Sequence, residues 1–105
     1  MTEFAQALTC GAADVLAERR RQIDEEGWTQ EYDAQYPPGM LSDAGATYAL
    51  WAGFMRPVPP QSWPKIGDWP KWWKQKDQRR DLVRAAALII AEIDLLDNRT
   101  KPNAS

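Results

Sequence analysis

The chain has no histidine and a single cysteine, Cys10. Those two shortages together remove Ser-His-Asp triads, histidine acid–base chemistry, Cys/His zinc sites and intramolecular disulfides. Any metal would have to be held by oxygen ligands. Long apolar runs are also missing. The longest, Ala85 to Ala91, falls far short of the ~20 residues that cross a bilayer, and the polar N-terminus lacks the basic start and apolar core of a signal peptide. No membrane partner and a reducing cytoplasmic setting are therefore expected. There is no general excess of positive charge either, since 13 Lys/Arg against 15 Asp/Glu leave a net charge of -2. Double-stranded DNA is not expected as a ligand, because binding it through counterion release requires a basic surface.

What is present fits one small domain. A chain of 105 residues with 44% hydrophobic residues sits near the size at which a single core is adequate but thin. The pattern predicts an all-α bundle of three main helices. The first covers about Ala12 to Glu26, with Ala12, Val15, Leu16 and Ile23 as its stripe, and Gly27 stops it while Trp28 folds back on its last turn. The second covers about Met40 to Gly53, with Leu41, Ala44, Tyr48, Trp51 and Met55 near one face and small residues that allow a close helix pair. The third runs from Gln78 to about Asp97, with Asp77 as N-cap and Leu82, Ala86, Ile89, Ile93 and Leu96 as the core stripe, widened by Val83 and Ile90. Met1 to Cys10, with Phe4 and Leu8 at helical spacing and Thr2 as a candidate N-cap, reads as an N-terminal arm or extra turn, and Asn98 to Ser105 as a frayed tail.

Between the second and third helices, Arg56 to Asp77 holds five of the eight prolines and four of the six tryptophans. Its prolines exclude a continuous helix, and its tryptophans argue for order, so a long ordered loop is expected. Trp63 to Arg84 carries seven Lys/Arg against three acids, a local +4 in an acidic protein. Tryptophan faces stack on bases, and lysine or arginine meets phosphate. Trp69, Trp72, Trp73, Lys74, Arg79 and Arg80 are therefore the candidate ligand-binding residues, for a nucleotide, an oligonucleotide or a single strand. The plainer reading makes the tryptophans staples that hold the loop on a thin core.

The charges of the third helix run against its dipole, with Arg79, Arg80 and Arg84 at the start and Glu92, Asp94 and Asp97 toward the end. Helix one also ends against its dipole, in Asp24, Glu25 and Glu26. An antiparallel pairing of helices one and three would neutralise both ends. The alternative is that Arg79, Arg80 and neighbouring lysines face an anionic ligand at the helix N-terminus.

The blocks E-R-R-R-Q (Glu18 to Gln22), E-G-W-T (Glu26 to Thr29), W-W-K (Trp72 to Lys74) and R-R-D-L-V-R-A-A-A-L-I-I-A-E-I-D-L-L-D (Arg79 to Asp97) resemble a family of small tailed-phage and prophage proteins. The likeness spans about Ala12 to Asn98. Family members commonly read E-H-D-D after G-W-T; here Glu31, Tyr32, Asp33 and Ala34 stand there, so no role for that histidine carries over. The resemblance implies a phage or prophage accessory protein, of a kind that often acts on host defence or nucleotide metabolism.

A partial likeness to MazG-like pyrophosphohydrolases rests on Glu25-Glu26 and Asp94-x-x-Asp97. It implies an alternative in which Glu25, Glu26, Glu92, Asp94 and Asp97 hold Mg2+ on a nucleoside triphosphate. Gly27-Trp28 after a basic helix also resembles ryanodine-receptor-type ligand domains and supplies no further residue.

The leading functional expectation is non-catalytic binding of a nucleotide-like anion without a cofactor, counteracting host defence. A third alternative is a protein inhibitor docking on a host defence or replication complex through an exposed aromatic patch. Self-association is expected through Tyr48, Trp51, Phe54 and Met55.

Overall fold

The computed structural model describes residues 8–27, 35–65 and 67–100. Among the described residues three helices make the bundle, α1 Cys10–Asp24, α2 Met40–Leu50 and α3 Gln78–Thr100, with one short 3-10 turn at Trp69–Trp72. No strand occurs among the described residues. No helix there is long and apolar enough to cross a membrane. Thr2, Phe4, Trp28, Tyr32 and the segment 101–105 lie outside the described residues.

α1 starts two residues before the expected position because Thr9 caps it, its hydroxyl accepting from the Ala12 N–H at 3.2 Å. Gly27 follows the helix with φ 73°, the left-handed conformation that glycine adopts without a Cβ penalty. At α3 the expected cap is present, with Asp77 accepting from the Arg80 N–H at 2.9 Å. That helix continues to Thr100, so residues 98–100 are helical rather than part of a tail.

α2 lies antiparallel to α3. The Glu92 carboxylate of α3 accepts from the N–H groups of Gly39 at 3.2 Å and Ser42 at 3.1 Å, at the start of α2. Farther along, the backbone of Gly45 packs against Ala85, Leu88 and Ile89. A buried negative charge thus satisfies orphan N–H donors and complements the α2 dipole, which accounts for one of the acids on the second half of α3. α2 ends at Leu50, three residues short of Gly53, which turns with φ 80°. At that turn the chain lies against Gln78, where a Cβ on Gly53 would sit 2.9 Å away.

The core stripe of α3 is not the expected one. Ala85, Ala87, Leu88, Ala91 and Leu95 are buried, whereas Leu82, Ile89, Ile93 and Leu96 are exposed and Ala86 is half-buried. Close approach decides this, because α2 comes near enough for a Cβ on Gly45 to meet the Ala85 carbonyl oxygen at 2.9 Å. Ala85 stands at the crossing with only a methyl group, which lets the two backbones approach, and Leu88 and Ile89 pack beside it. In α1 the expected stripe also fails: Leu16 is exposed, Ala12, Val15 and Ile23 are half-buried, and the buried positions are Glu18, Arg19 and Gln22. The expected self-association face is broken too, since Tyr48 is buried while Phe54 and Met55 are exposed.

The proline- and tryptophan-rich loop is ordered on α2 and α3 by buried polar contacts. Asp81, fully buried, accepts from the N–H groups of Lys76 at 2.7 Å and Gly53 at 3.0 Å and from Gln75 Nε2 at 3.4 Å. The Tyr48 hydroxyl accepts from the Lys74 N–H at 3.0 Å and donates to the Lys74 carbonyl at 3.2 Å. The indole N–H of Trp63 donates to the Trp69 carbonyl at 2.6 Å and that of Trp73 to the Arg56 carbonyl at 2.9 Å.

Gly45→Ala should lower stability by about 1 kcal/mol in chemical denaturation. Overpacking against a backbone carbonyl, at about 1–3 kcal/mol, exceeds the ~1 kcal/mol gain in helix propensity. An unchanged or higher midpoint would show that α2 and α3 can separate slightly without cost.

Candidate functional site

α1 meets α3 through charge. The Glu18 side chain has no solvent exposure, and Arg21 of the same helix grips both of its oxygens, at 2.9 Å from Nε and 2.8 Å from Nη2. From α3, Arg80 forms an ion pair with Glu18 Oε1, and Arg84 Nε lies 3.9 Å from Oε2. Gln22 Nε2 donates to Oε2 at 3.2 Å. One carboxylate therefore gathers three guanidinium groups.

Burial alone would push the Glu18 carboxyl up. The Arg21 hydrogen bonds, with the charges of Arg21 and Arg80 and the Gln22 hydrogen bond, outweigh it and hold the group below the usual carboxylate range. The Arg21 guanidinium is pushed further up by its hydrogen bonds to Glu18, against the opposing effect of burial, and by the charge of Glu26, 2.7 Å away.

The expected neutralisation of α3's arginines by α1 is present with different partners and the opposite polarity. Asp14 meets Arg79 at 2.9 Å, and Glu18 meets Arg80 and Arg84. The paired positions advance in the same sense along both helices, rather than antiparallel. Asp24 and Glu26 instead pair within their own segment, with Arg20 at 3.7 Å and Arg21 at 2.7 Å.

Beside this cluster lies a cavity of about 610 Å³ between the C-terminal half of α1, the first half of α3 and the loop. Five cationic side chains line it, Arg21, Lys74, Lys76, Arg80 and Arg84, against two acids, Glu25 and Glu26. Counting Glu18 behind them, five cations face three carboxylates. Aromatic side chains line the same cavity, namely Tyr48, Trp63, Trp69 and Trp72. These rings support one another: Trp69 lies 5.0 Å from Trp72 and 5.7 Å from Trp63, and Tyr48 stands edge-on to Trp63 at 5.3 Å. Arg84 bridges the cationic and aromatic sets. Its guanidinium donates to the Lys74 carbonyl at 2.6 Å and lies 5.5 Å from the centre of the Tyr48 ring. The Tyr48 phenol is pushed up by burial, although its hydrogen bond with the Lys74 backbone and the Arg84 charge pull the other way.

Of the six residues singled out for ligand binding, Trp69, Trp72, Lys74 and Arg80 line this cavity. Trp73 does not; it is buried in the core, stacked on Tyr48 at 4.9 Å. Arg79 is drawn to Asp14 on the surface. Arg21, Gln22 and Arg84 were not anticipated, and Lys76 entered only as one of the lysines neighbouring Arg79 and Arg80. The spacing Glu18, Arg21, Gln22 and the i, i+4 pair Arg80, Arg84 held a signal for them, because each set shares one helix face.

The carboxylates of the metal-dependent alternative are dispersed. Glu25 and Glu26 stand at the cavity, Glu92 is engaged by the start of α2, and no group of three His, Cys, Asp or Glu side chains able to hold a metal ion occurs among the described residues. No protein-family model, curated protein or solved structure matches the chain.

Because the Glu18 carboxyl is depressed in the folded state, its stabilisation is complete above the unfolded-state pKa of ~4.3 and is lost as pH falls through the lower folded-state value. Glu18→Ala should cost about 3 kcal/mol at neutral pH, the low end for a broken buried pair, since its arginine partners keep some access to water. The variant should also show a shallower fall of melting temperature below pH ~4.3 than the parent chain. Parallel acid limbs in the two proteins would contradict the assignment.

Proposed function

We propose that this protein binds a single nucleotide-like anion, without catalysis, in the cavity between α1, α3 and the tryptophan loop. The observation that carries the reading is that cationic and aromatic side chains line one cavity of about 610 Å³, a volume within the roughly 300–1,000 Å³ of small-molecule sites. Phosphate oxygens would meet Arg80, Arg84, Lys74 and Lys76, and a base would lie along Trp72, the half-buried ring of the aromatic set. Trp63 and Trp69 are buried and serve as the floor. One accessible ring favours one base over a strand, which needs successive stacking platforms. Gln22 Oε1, buried on the cavity side of α1 with no hydrogen-bond partner, is an acceptor that a ligand N–H or a bridging water would satisfy. Taken with the resemblance to phage and prophage proteins, the use of such a site would be to sequester a nucleotide signal of host defence in the bacterial cytoplasm.

Docking on a host protein is a second reading, favoured by a separate observation. Leu50, Phe54, Met55 and Val58, at and beyond the end of α2, are all strongly exposed. If that patch is the interface, Phe54→Ser should abolish capture of a host protein while leaving ligand binding at the cavity unchanged.

Tryptophan fluorescence titration with mono-, di- and cyclic nucleotides tests the leading reading. A saturable change is expected, weakened about 5- to 150-fold in Trp72→Ala, the range that corresponds to ~1–3 kcal/mol per stacked base. Lys74→Ala/Lys76→Ala should weaken binding and reduce its salt dependence, because both side chains are exposed. No response at millimolar ligand across the panel would overturn the reading.

A further inference from the structure

α3 carries two apolar stripes, and the fold of one chain covers the second only in part, through the contact of Ile89 with Gly45 of α2. Leu82, Ile89, Ile93 and Leu96 are 45%, 40%, 50% and 43% exposed. With Ala86 they recur at separations of four, three, four and three residues. That mean spacing of about 3.5 is the one that keeps a seam facing a second helix over several turns. The arc runs fourteen steps along the helix, from Leu82 to Leu96, about 21 Å at ~1.5 Å per residue. Its charged neighbours stand at the two ends. Arg79 and Asp97 are eighteen residues apart, five full turns at ~3.6 residues per turn, and so lie on the same flank of the arc.

We propose that this arc is the interface of a homodimer in which α3 packs antiparallel on α3 of a second copy. Charge selects the occupant and the direction. A flank that starts with Arg79 and ends with Asp97 is complementary to itself when reversed. A two-fold axis crossing the helix near Leu88 brings Arg79 of each copy to Asp97 of the other. The same axis sets Leu82 opposite Ile93 and Ala86 opposite Ile89. A parallel pair would put the two copies of this flank on opposite sides of the seam, leaving Arg79 and Asp97 unmatched, and would align the helix dipoles unfavourably. The contact of Arg79 with Asp14 is exposed on both sides, and a guanidinium has donors for a second carboxylate. A single helix seam offers less than the ~800 Å² per partner of a tight complex, so association belongs in the micromolar range.

Sedimentation velocity on the full chain, from ~1 to ~500 μM, should show conversion from monomer to dimer. Ile93→Lys should remove the dimer and leave the thermal melt and nucleotide titration unchanged, since Ile93 lies outside both the core and the cavity lining. Asp97→Arg, which places two cations together at each end, should weaken association about tenfold. Direction is read by cross-linking in a Cys10→Ser background. A short bis-maleimide should join Leu82→Cys to Ile93→Cys in a mixture and join neither variant to itself. A strict monomer over the whole range would overturn the proposal. Efficient cross-linking of Leu82→Cys to itself would overturn the antiparallel arrangement.

Discussion

The structure depends on one buried carboxylate. Glu18 is out of contact with water, yet it stays charged because Arg21, Arg80 and Arg84 surround it. It joins α1 to α3 where an apolar stripe was expected to do so. A buried ion cluster is an expensive way to hold helices together, and well-packed hydrophobic side chains often serve as well or better. What it provides besides adhesion is an arrangement of guanidinium groups. Three of them are fixed side by side at the edge of a cavity, with more positive charge than Glu18 can neutralise. Attachment of α1 and preparation of a cationic wall are consequences of the same contact.

The aromatic wall has a similar double character. Tyr48, Trp63, Trp69 and Trp73 form a core cluster that turns a proline-rich loop into a fixed surface, and Trp72 packs against it from the cavity side. The prolines prevent the loop from becoming a helix, while the hydrogen bonds of Asp81 and the Tyr48 hydroxyl hold its backbone in place. Because both walls are held by buried contacts, a ligand would meet a largely preformed site and would lose little affinity to ordering it.

The number and order of helices, the Asp77 cap and the Gly27 stop were legible because they rest on local chemistry. The face of α3 was not. Both of its stripes are apolar, and hydrophobicity favours the one with larger residues, whereas α2 crosses at Gly45 on the backbone of Ala85, beside Leu88 and Ile89, and leaves Ile89 partly exposed. Side-chain size in a three-dimensional crossing chose the core, and periodicity does not record size. Half of the site was visible in the loop, in Trp69, Trp72 and Lys74, with Arg80 beside it. Arg21 and Arg84 became visible only once α1 was placed on α3, because their common partner, Glu18, comes from a different helix than Arg84. The wrong-way charges on α3 proved informative about packing: Glu92 caps another helix, and Arg80 and Arg84 hold Glu18.

The central claim is that the two walls of the cavity act together on one ligand. It is tested most directly by nuclear magnetic resonance of the full chain, following the arginine Nε–H and tryptophan indole N–H signals while a nucleoside triphosphate is added. The account predicts saturable shifts, with one common dissociation constant, at Arg80, Arg84 and Trp72, and none at the exposed Arg20 or at Trp51. Shifts confined to surface cations that rise linearly with nucleotide, with the Trp72 indole unmoved, would contradict it.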